Sequence, residues 1–276
     1  MQIVNALMNE IDVPSHVVEW TQSLEYNPLQ TPGDRLALLS ARTASLRLIN
    51  KNGMKTDSEL LELCDALETD LLAWSESTLA AGSVCSFHNI RDPDSVHAWN
   101  GTRHEYGMPQ AYRHWNMWRC LRIVLSRLHE AIWRRSWPMF SSEIQSVLDS
   151  EHFRAIRMRM ASDICIAAAY AFGNDSTAEP PNGAVSMGYL LVMPLFLAGT
   201  CLLEQIREPL VSPGGTRTIQ INEPVHLDLF DQSSAQLAWI IERLDYVANK
   251  VGIGWANNMS SFLAGKCNLY FDLGRS

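Results

Sequence analysis

Apolar residues recur every three to four positions along most of this 276-residue chain, which is the spacing of an amphipathic α-helix. The first such pattern begins at Thr31-Pro32 and stops at Asn52-Gly53, so it predicts a helix of about four turns. A second pattern covers residues 57–76, where the start resembles a capping box and the polar face is acidic. The clearest pattern covers residues 110–137. All three segments are therefore predicted to be helices with one buried face.

The second half of the chain continues the same pattern. Further helices are predicted over residues 142–172, 184–203, 231–251 and 255–263. Two segments break the period: residues 82–109 predict a long connection with one helical turn near residues 96–100, and residues 209–230 predict an irregular linker. Because no series of alternating apolar and polar residues predicts a set of strands, the fold class is predicted to be all-α.

The segment 184–203 carries no charged residue, so a membrane-spanning helix of about 20 apolar residues has to be considered. Against a span, Pro194 lies at its centre, small and polar residues such as Gly199 and Thr200 interrupt it, and no basic cluster flanks it. The pattern therefore favours a central core helix that is kinked at Pro194, and no membrane association is expected.

The length of 276 residues lies between one large domain and two small ones, on a prior of about 100–200 residues per domain. One large helical domain with the kinked core helix is predicted over residues 31–265. Residues 1–30 are expected to form an N-terminal extension, and residues 266–276 a C-terminal tail.

Composition and charge narrow the class of protein. Hydrophobic residues make up 47% and charged residues 19%, which indicates a folded globular chain. The formal net charge of −8 repels phosphate backbones, so direct binding of nucleic acid is not expected. The N-terminus lacks the features of a secretory signal and the six cysteines form no CxxC pair, so we expect an intracellular protein with free thiols and no metal.

The densest set of titratable side chains lies between residues 85 and 106. Its members are Cys85, His88, Asp92, Asp94, His97, His104 and Glu105. His97 or His104 is a candidate general base if this segment folds over a pocket. The simpler alternative is that these histidines lie on the surface, because none of them belongs to an HExxH or HxH motif.

Aromatic and basic residues supply two further candidates. Trp115, Trp118 and Trp239 are candidates to line a cavity in which a small apolar metabolite stacks against the rings, although core packing is the simpler explanation. Arginines also crowd residues 113–135. They are expected to meet either an acidic partner or the acidic face of residues 57–76. The simpler alternative is that they form ordinary solvated i,i+4 charge faces and intramolecular ion pairs.

Four stretches of the chain, taken together, resemble the large regulatory domain that follows the binuclear zinc cluster in fungal-specific transcription factors. They are Trp115-Asn-Met-Trp-Arg-Cys-Leu-Arg-Ile-Val-Leu125, Asp163-Ile-Cys-Ile-Ala-Ala-Ala-Tyr-Ala-Phe-Gly173, Gly188-Tyr-Leu-Leu-Val-Met-Pro-Leu-Phe-Leu-Ala-Gly199, and Trp239-Ile-Ile-Glu-Arg-Leu-Asp-Tyr246. The second stretch lacks the proline that is usual in the family, and the third has Met193 where tryptophan is common.

The resemblance implies a helical domain that senses a small apolar effector or a protein partner. Arg119 and Arg122 occupy positions where the family carries arginines, and they are expected to pair with a buried carboxylate such as Asp163. The six-cysteine cluster and the basic linker that read DNA are absent from this sequence. DNA binding is therefore not carried over from the family, and a separate DNA-binding protein is the expected partner.

Two hypotheses about function follow. The first is a transcription-regulator-like protein of the nucleus, possessing no DNA-binding module of its own and connected with secondary metabolism. The second is a cytoplasmic enzyme of secondary-metabolite biosynthesis, in which the same helical scaffold promotes a cyclisation, isomerisation or dehydration. Such chemistry would need only groups such as His97, His104 and Tyr112 near the substrate, and no cofactor.

Overall fold

The structure is a computed structural model that describes residues 2–26, 30–82, 84–136, 143–172, 184–207 and 224–266. In chain order its elements are α1 (Gln2–Asn9), α2 (Ser15–Glu25), α3 (Pro32–Lys51), α4 (Asp57–Ala80), β1 (Phe87–Arg91), β2 (Thr102–Tyr106), α5 (Pro109–Ser136), α6 (Glu143–Phe172), α7 (Ala184–Arg207), α8 (Pro224–Tyr246), a π-helical segment (Val247–Val251) and α9 (Trp255–Leu263). The predicted all-α fold class is confirmed.

Residue contacts group the chain into two compact units. Within the described residues, the first unit comprises residues 2–88 and 105–156, and the second comprises residues 89–104 and 157–266. The sequence analysis expected one domain that starts at residue 31. In the structure, α1 and α2 pack against α3, so the expected N-terminal extension contributes helices to the first unit.

Reciprocal capping boxes start α3 and α4 where the sequence predicts them. The Thr31 hydroxyl accepts a hydrogen bond from the Asp34 backbone N–H at 3.2 Å, and the Asp34 carboxylate accepts one from the Thr31 N–H at 3.0 Å. Thr56 and Glu59 form the same pair at the start of α4. These bonds satisfy N–H groups that the first helical turn leaves without partners, so the ends of both helices are determined locally.

The segment 82–109 contains a short sheet that the sequence analysis did not predict. β1 and β2 pair with each other, and Trp99 and Thr102 form an antiparallel bridge beyond the strands. The two residues between them, Asn100 and Gly101, have φ of 50° and 64°. Asn-Gly is the residue pair that two-residue hairpin turns favour, because both positions require positive φ. The prediction of a connection with one helical turn was therefore wrong for this part of the segment.

The start of α8 is a second correction. The helix begins at Pro224, whereas the sequence analysis expected a linker up to residue 230 and a helix from residue 231. Proline is favoured at the first helical position because it has no N–H to leave unsatisfied there. The rest of the predicted linker, residues 209–223, lies outside the described residues.

Helix α7, which carries no charge over residues 184–203, lies in the core of the second unit. Its stretch Ser186–Arg207 is long and apolar enough to cross a membrane by length and composition, but 67% of its apolar window is buried within the protein. Core helices of soluble proteins have the same length and composition. Pro194 lies inside the helix and is buried, as predicted, and the kink there stays a prediction.

Replacing Gly199 with alanine is expected to lower the free energy of unfolding by about 1–3 kcal/mol. A Cβ atom at this position in α7 would lie 2.5 Å from Cδ1 and 2.9 Å from Cδ2 of Leu263, a buried residue of α9. The matched control is Gly254→Ala, since a Cβ there meets no atom within 4 Å. Urea denaturation of both variants measures the difference. Equal stability of Gly199→Ala and the control would contradict the close approach of α7 and α9.

Candidate functional site

His97 lies in a buried aromatic cluster of the second unit. Its ring stacks on Phe172 at 4.7 Å between centroids and meets Tyr246 edge-on at 5.4 Å. The Arg243 Nη1 atom lies 2.9 Å from His97 Nδ1 and also donates to the Val96 carbonyl. Because a guanidinium only donates hydrogen bonds, Nδ1 must be the accepting nitrogen and the ring is neutral with its proton on Nε2.

Trp239 belongs to the same cluster through Arg243. The guanidinium lies 5.4 Å from the Trp239 ring centroid. The centroids of the Trp99 and Trp239 rings are 5.6 Å apart. The structure therefore brings His97 and Trp239 together, which the sequence analysis treated as separate candidates. Arg243 is the residue that joins them, and its position one helical turn after Trp239 was the available signal.

His104 and Tyr112, the other two catalytic candidates, are both buried. His104 lies on β2 within the second unit, and Tyr112 lies on α5 in the first. Burial, with a smaller contribution from Tyr106, raises the pKa of Tyr112 well above its ordinary value. Tyr112 therefore keeps its proton at neutral pH. The alternative that the histidines of residues 85–106 lie on the surface is wrong for His97 and His104.

Trp115 and Trp118 lie in a second aromatic cluster, between α5 and α4 of the first unit. The Trp115 ring meets Trp74 at 5.1 Å, Phe87 at 4.9 Å and Trp118 at 5.4 Å, in edge-to-face arrangements. Both indole N–H groups donate to backbone carbonyls, from Trp115 to Cys85 and from Trp118 to Leu71. These contacts are those of a packed core, and a ligand-binding role for the two tryptophans stays a prediction.

Two arginines of α5 form ion pairs with acidic residues of α4, which was one of the alternatives that the sequence left open. Arg122 donates a hydrogen bond to the Glu68 carboxylate, and its guanidinium lies over the Trp118 ring. Arg135 forms an ion pair with Asp57 at 2.6 Å. The partner of Arg122 is thus Glu68, where the sequence analysis suggested a carboxylate such as Asp163. These contacts are intramolecular ion pairs, which was the simpler of the two expectations.

Arg119 is buried with 1% of its surface exposed. It donates hydrogen bonds to the Tyr106 hydroxyl at 2.9 Å and to the Asn116 side-chain oxygen at 3.0 Å. Its guanidinium also lies 5.1 Å from the Phe87 ring centroid. Arg119 therefore holds the hairpin end and α5 together within the first unit, beside the tryptophan cluster.

Metal-ligating clusters and cysteine thiols are two further kinds of site to consider among the described residues. In that part of the chain, no three histidine, cysteine or acidic side chains lie close enough together to share a metal ion. Five cysteines there are free, and Cys267 lies outside the described residues. Burial raises the pKa of Cys64 and of Cys165 to about 12, so neither thiol is a nucleophile at neutral pH.

A cavity of about 490 Å³ lies among α1, α2, α3 and α5 in the first unit. Its walls are mainly apolar and include Ile3, Val17, Trp20, Leu36, Ala37 and Met117. Trp20, one of these residues, is 47% exposed. Small-molecule sites are typically mainly apolar cavities of about 300–1,000 Å³ with a few polar groups, and this cavity fits that description.

The polar groups of the cavity come from the start of α3 and from α5. Hydrogen bonds from the hydroxyl and the backbone N–H of Thr31 hold the pKa of Asp34 below its ordinary value, so Asp34 is ionised at neutral pH. Burial, and then the nearby Arg113, lower the pKa of His114, against a smaller opposite effect of Asp34. At neutral pH the polar end therefore presents one carboxylate, one guanidinium and one neutral imidazole.

The sequence analysis did not single out this cavity. The candidates Trp115, Trp118 and Trp239 are not among the residues that line it. Arg113, His114 and Met117 are the residues of α5 that line it. Two residues of the sequence could have pointed to the cavity. They are Trp20, which lies exposed on a helix of the expected extension, and Gly33, which lies in the first turn of α3.

Comparison with known proteins returned no match: no family model, no curated protein and no solved structure matches this chain. The resemblance to the fungal-specific regulatory domain therefore rests on the four motifs quoted above.

Proposed function

We propose that the protein is a regulatory protein of the fungal-specific transcription factor type, which binds a small, mainly apolar effector in the cavity among α1, α2, α3 and α5. The observation that carries the proposal is the size and apolar lining of this cavity. The all-α fold agrees with what the resemblance implies, and the acidic net charge agrees with action through a DNA-binding protein partner.

An effector in this cavity would touch four helices at once. α1 and α2 pack on α3, and the cavity lies where their apolar side chains meet α5. A ligand that binds the folded state alone stabilises it, by about 2.7 kcal/mol when its concentration is 100 times its dissociation constant. Effector binding would therefore hold α1 and α2 in place. A protein partner would recognise the chain in this ordered state.

The enzyme hypothesis is the second candidate, and the geometry favours it less. Arg243 donates a hydrogen bond to the Nδ1 atom of His97, and Tyr112 is fully buried and keeps its proton. A cofactor-free cyclase, isomerase or dehydratase would need such groups to reach a substrate. Product formation from intermediates of a secondary-metabolite pathway, at catalytic protein concentrations, is the result that would favour the enzyme.

Filling the cavity is expected to abolish effector binding. N-phenyl-1-naphthylamine, an uncharged apolar dye whose fluorescence rises in apolar surroundings, is a suitable probe. The variant Ala37→Phe places a ring inside the cavity wall and is expected to weaken dye binding at least about tenfold. The matched control is Ala73→Phe, the same substitution at an exposed position of α4.

Two results would contradict the proposed function. The first is an unchanged dye affinity of Ala37→Phe while the protein remains folded. The second is failure of a nuclear extract to yield any DNA-binding protein that associates with the chain in an effector-dependent way.

A further inference from the structure

We propose that the cavity selects an uncharged ligand that carries a hydroxyl group, and that the His114 imidazole accepts the hydrogen bond from this hydroxyl. The inference rests on the proposed function of the cavity and names the class of ligand that it takes. It is carried by the cluster of polar groups at the start of α3 and by the position of His114 against Gly33.

An ionised ligand gains little from the charges at the polar end, because the carboxylate of Asp34 and the guanidinium of Arg113 are opposite in sign and Arg113 is exposed to solvent. The start of α3 does not compensate for an anion, because the backbone N–H of Asp34 already donates to the Thr31 hydroxyl. α1 and α2 bring only uncharged side chains to the cavity, Gln2 and Trp20 among them. A neutral ligand also avoids the cost of burying a charge in a mainly apolar cavity.

His114 has hydrogen-bonding capacity that the protein does not use. Among the residues that the structure describes, no group forms a hydrogen bond with either nitrogen of its ring. The ring is partly buried, so it has also lost part of its hydration. A neutral imidazole offers one accepting nitrogen and one donating nitrogen, and a hydroxyl can bond to either. A ligand hydroxyl at this wall would supply the partner.

Gly33 determines where the imidazole lies. A Cβ atom on residue 33 would lie 2.7 Å from Nε2 and 2.8 Å from Cε1 of His114. The edge of the ring therefore occupies the space that the missing side chain leaves. The variant Gly33→Ala must displace the ring, yet it leaves the apolar wall unchanged and suits a helical position. It tests the position of His114 without removing the side chain.

The test uses three probes that share one ring system: 2-naphthol, 2-methoxynaphthalene and 2-naphthoate. Affinities are measured by calorimetry and by displacement of N-phenyl-1-naphthylamine from the full chain. The wild-type protein is expected to bind 2-naphthol about tenfold more tightly than the methyl ether, and to bind the anionic naphthoate most weakly. His114→Phe keeps an aromatic ring and is expected to bind naphthol and its ether equally. Gly33→Ala is expected to reduce the preference for naphthol over its methyl ether, with no loss of thermal stability.

Acidification provides an independent readout. Protonation removes the accepting nitrogen of His114, so naphthol affinity is expected to fall in acid, at a pH below the ordinary pKa of histidine because burial lowers the pKa of this ring. Dye affinity, which needs no hydroxyl, is expected to stay constant over the same range in a protein that remains folded. In His114→Phe the pH dependence of naphthol binding should disappear.

The outcomes separate the two proposals. If none of the probes displaces the dye and Ala37→Phe binds the dye as the wild type does, the proposed function itself fails. If naphthol and its ether both displace the dye with equal affinity in the wild type, or if naphthoate binds best, only the role of His114 is overturned. If His114→Phe does not fold, the ratio of the two affinities in Gly33→Ala decides.

Discussion

Replacing Arg47 with methionine is expected to lower the free energy of unfolding of the first unit by about 3–5 kcal/mol. Only 5% of the Arg47 side chain is exposed, and its Nη2 atom lies 2.5 Å from Oε1 of Glu10. The same guanidinium donates to the carbonyl of Leu7, close to the end of α1. Methionine fills a similar volume but leaves a largely buried carboxylate, with Lys51 at 3.9 Å as its remaining charged neighbour.

The conformation of Glu10 adds to this cost. Its φ of 50° lies in the left-handed region, which residues with a side chain adopt at a cost. The hydrogen bond and the ion pair from Arg47 hold this residue in place after α1. Without them α1 is expected to separate from α3, and because α1 lines the cavity, dye affinity should fall together with stability.

Arg42→Met is the matched control on the same helix. Arg42 also forms an ion pair, with Asp70 at 2.6 Å, but 45% of each side chain is exposed. Exposed pairs contribute roughly 0–1 kcal/mol, so this variant should be close to the wild type in urea denaturation. Similar losses for Arg42→Met and Arg47→Met would show that burial of the Arg47 pair does not determine its contribution.

Truncation of Trp115 to alanine is expected to destabilise the first unit by about 3–5 kcal/mol. Only 2% of Trp115 is exposed, and its ring contacts three other aromatic rings. Trp115→Phe should be intermediate, because phenylalanine keeps an aromatic ring but cannot donate to the Cys85 carbonyl. Both variants are compared with the wild type by thermal and urea unfolding.

Trp20→Ala supplies the contrast. This tryptophan lines the cavity and is about half exposed, so its loss should cost about 1 kcal/mol of stability or less and should weaken dye binding. If Trp115→Ala leaves stability within 1 kcal/mol of the wild type while it abolishes ligand binding, then Trp115 is a ligand contact and the cavity assigned here is the wrong one.

Helix positions were predictable where the determinants are local. The two capping boxes and the apolar spacing placed α3 and α4, and the end of α5 at Ser136 lies within one residue of the predicted end. The hairpin turn at Asn100-Gly101 carried a signal of the same local kind, which the sequence analysis overlooked. Pro224 at the start of α8 is a third local signal, which the sequence analysis did not use.

The candidate site was not predictable in the same way. Trp20 and Ile3 belong to helices that the sequence analysis treated as an extension, and no local pattern shows that both pack on α3. The space that Gly33 leaves for His114 involves residues 81 positions apart in the chain. Such a contact depends on the relative positions of α3 and α5.

The sequence by itself determined the all-α class and most helix bounds, because these follow from spacing and capping within short segments. It left the pairing of α5 arginines with α4 acids as one of several alternatives. Only the tertiary structure decided which faces enclose a cavity. It also decided that one arginine of α3 is buried in an ion pair while another is exposed. Both outcomes depend on how distant helices pack together, and the apolar period of a single helix carries no information about the helix that will cover it.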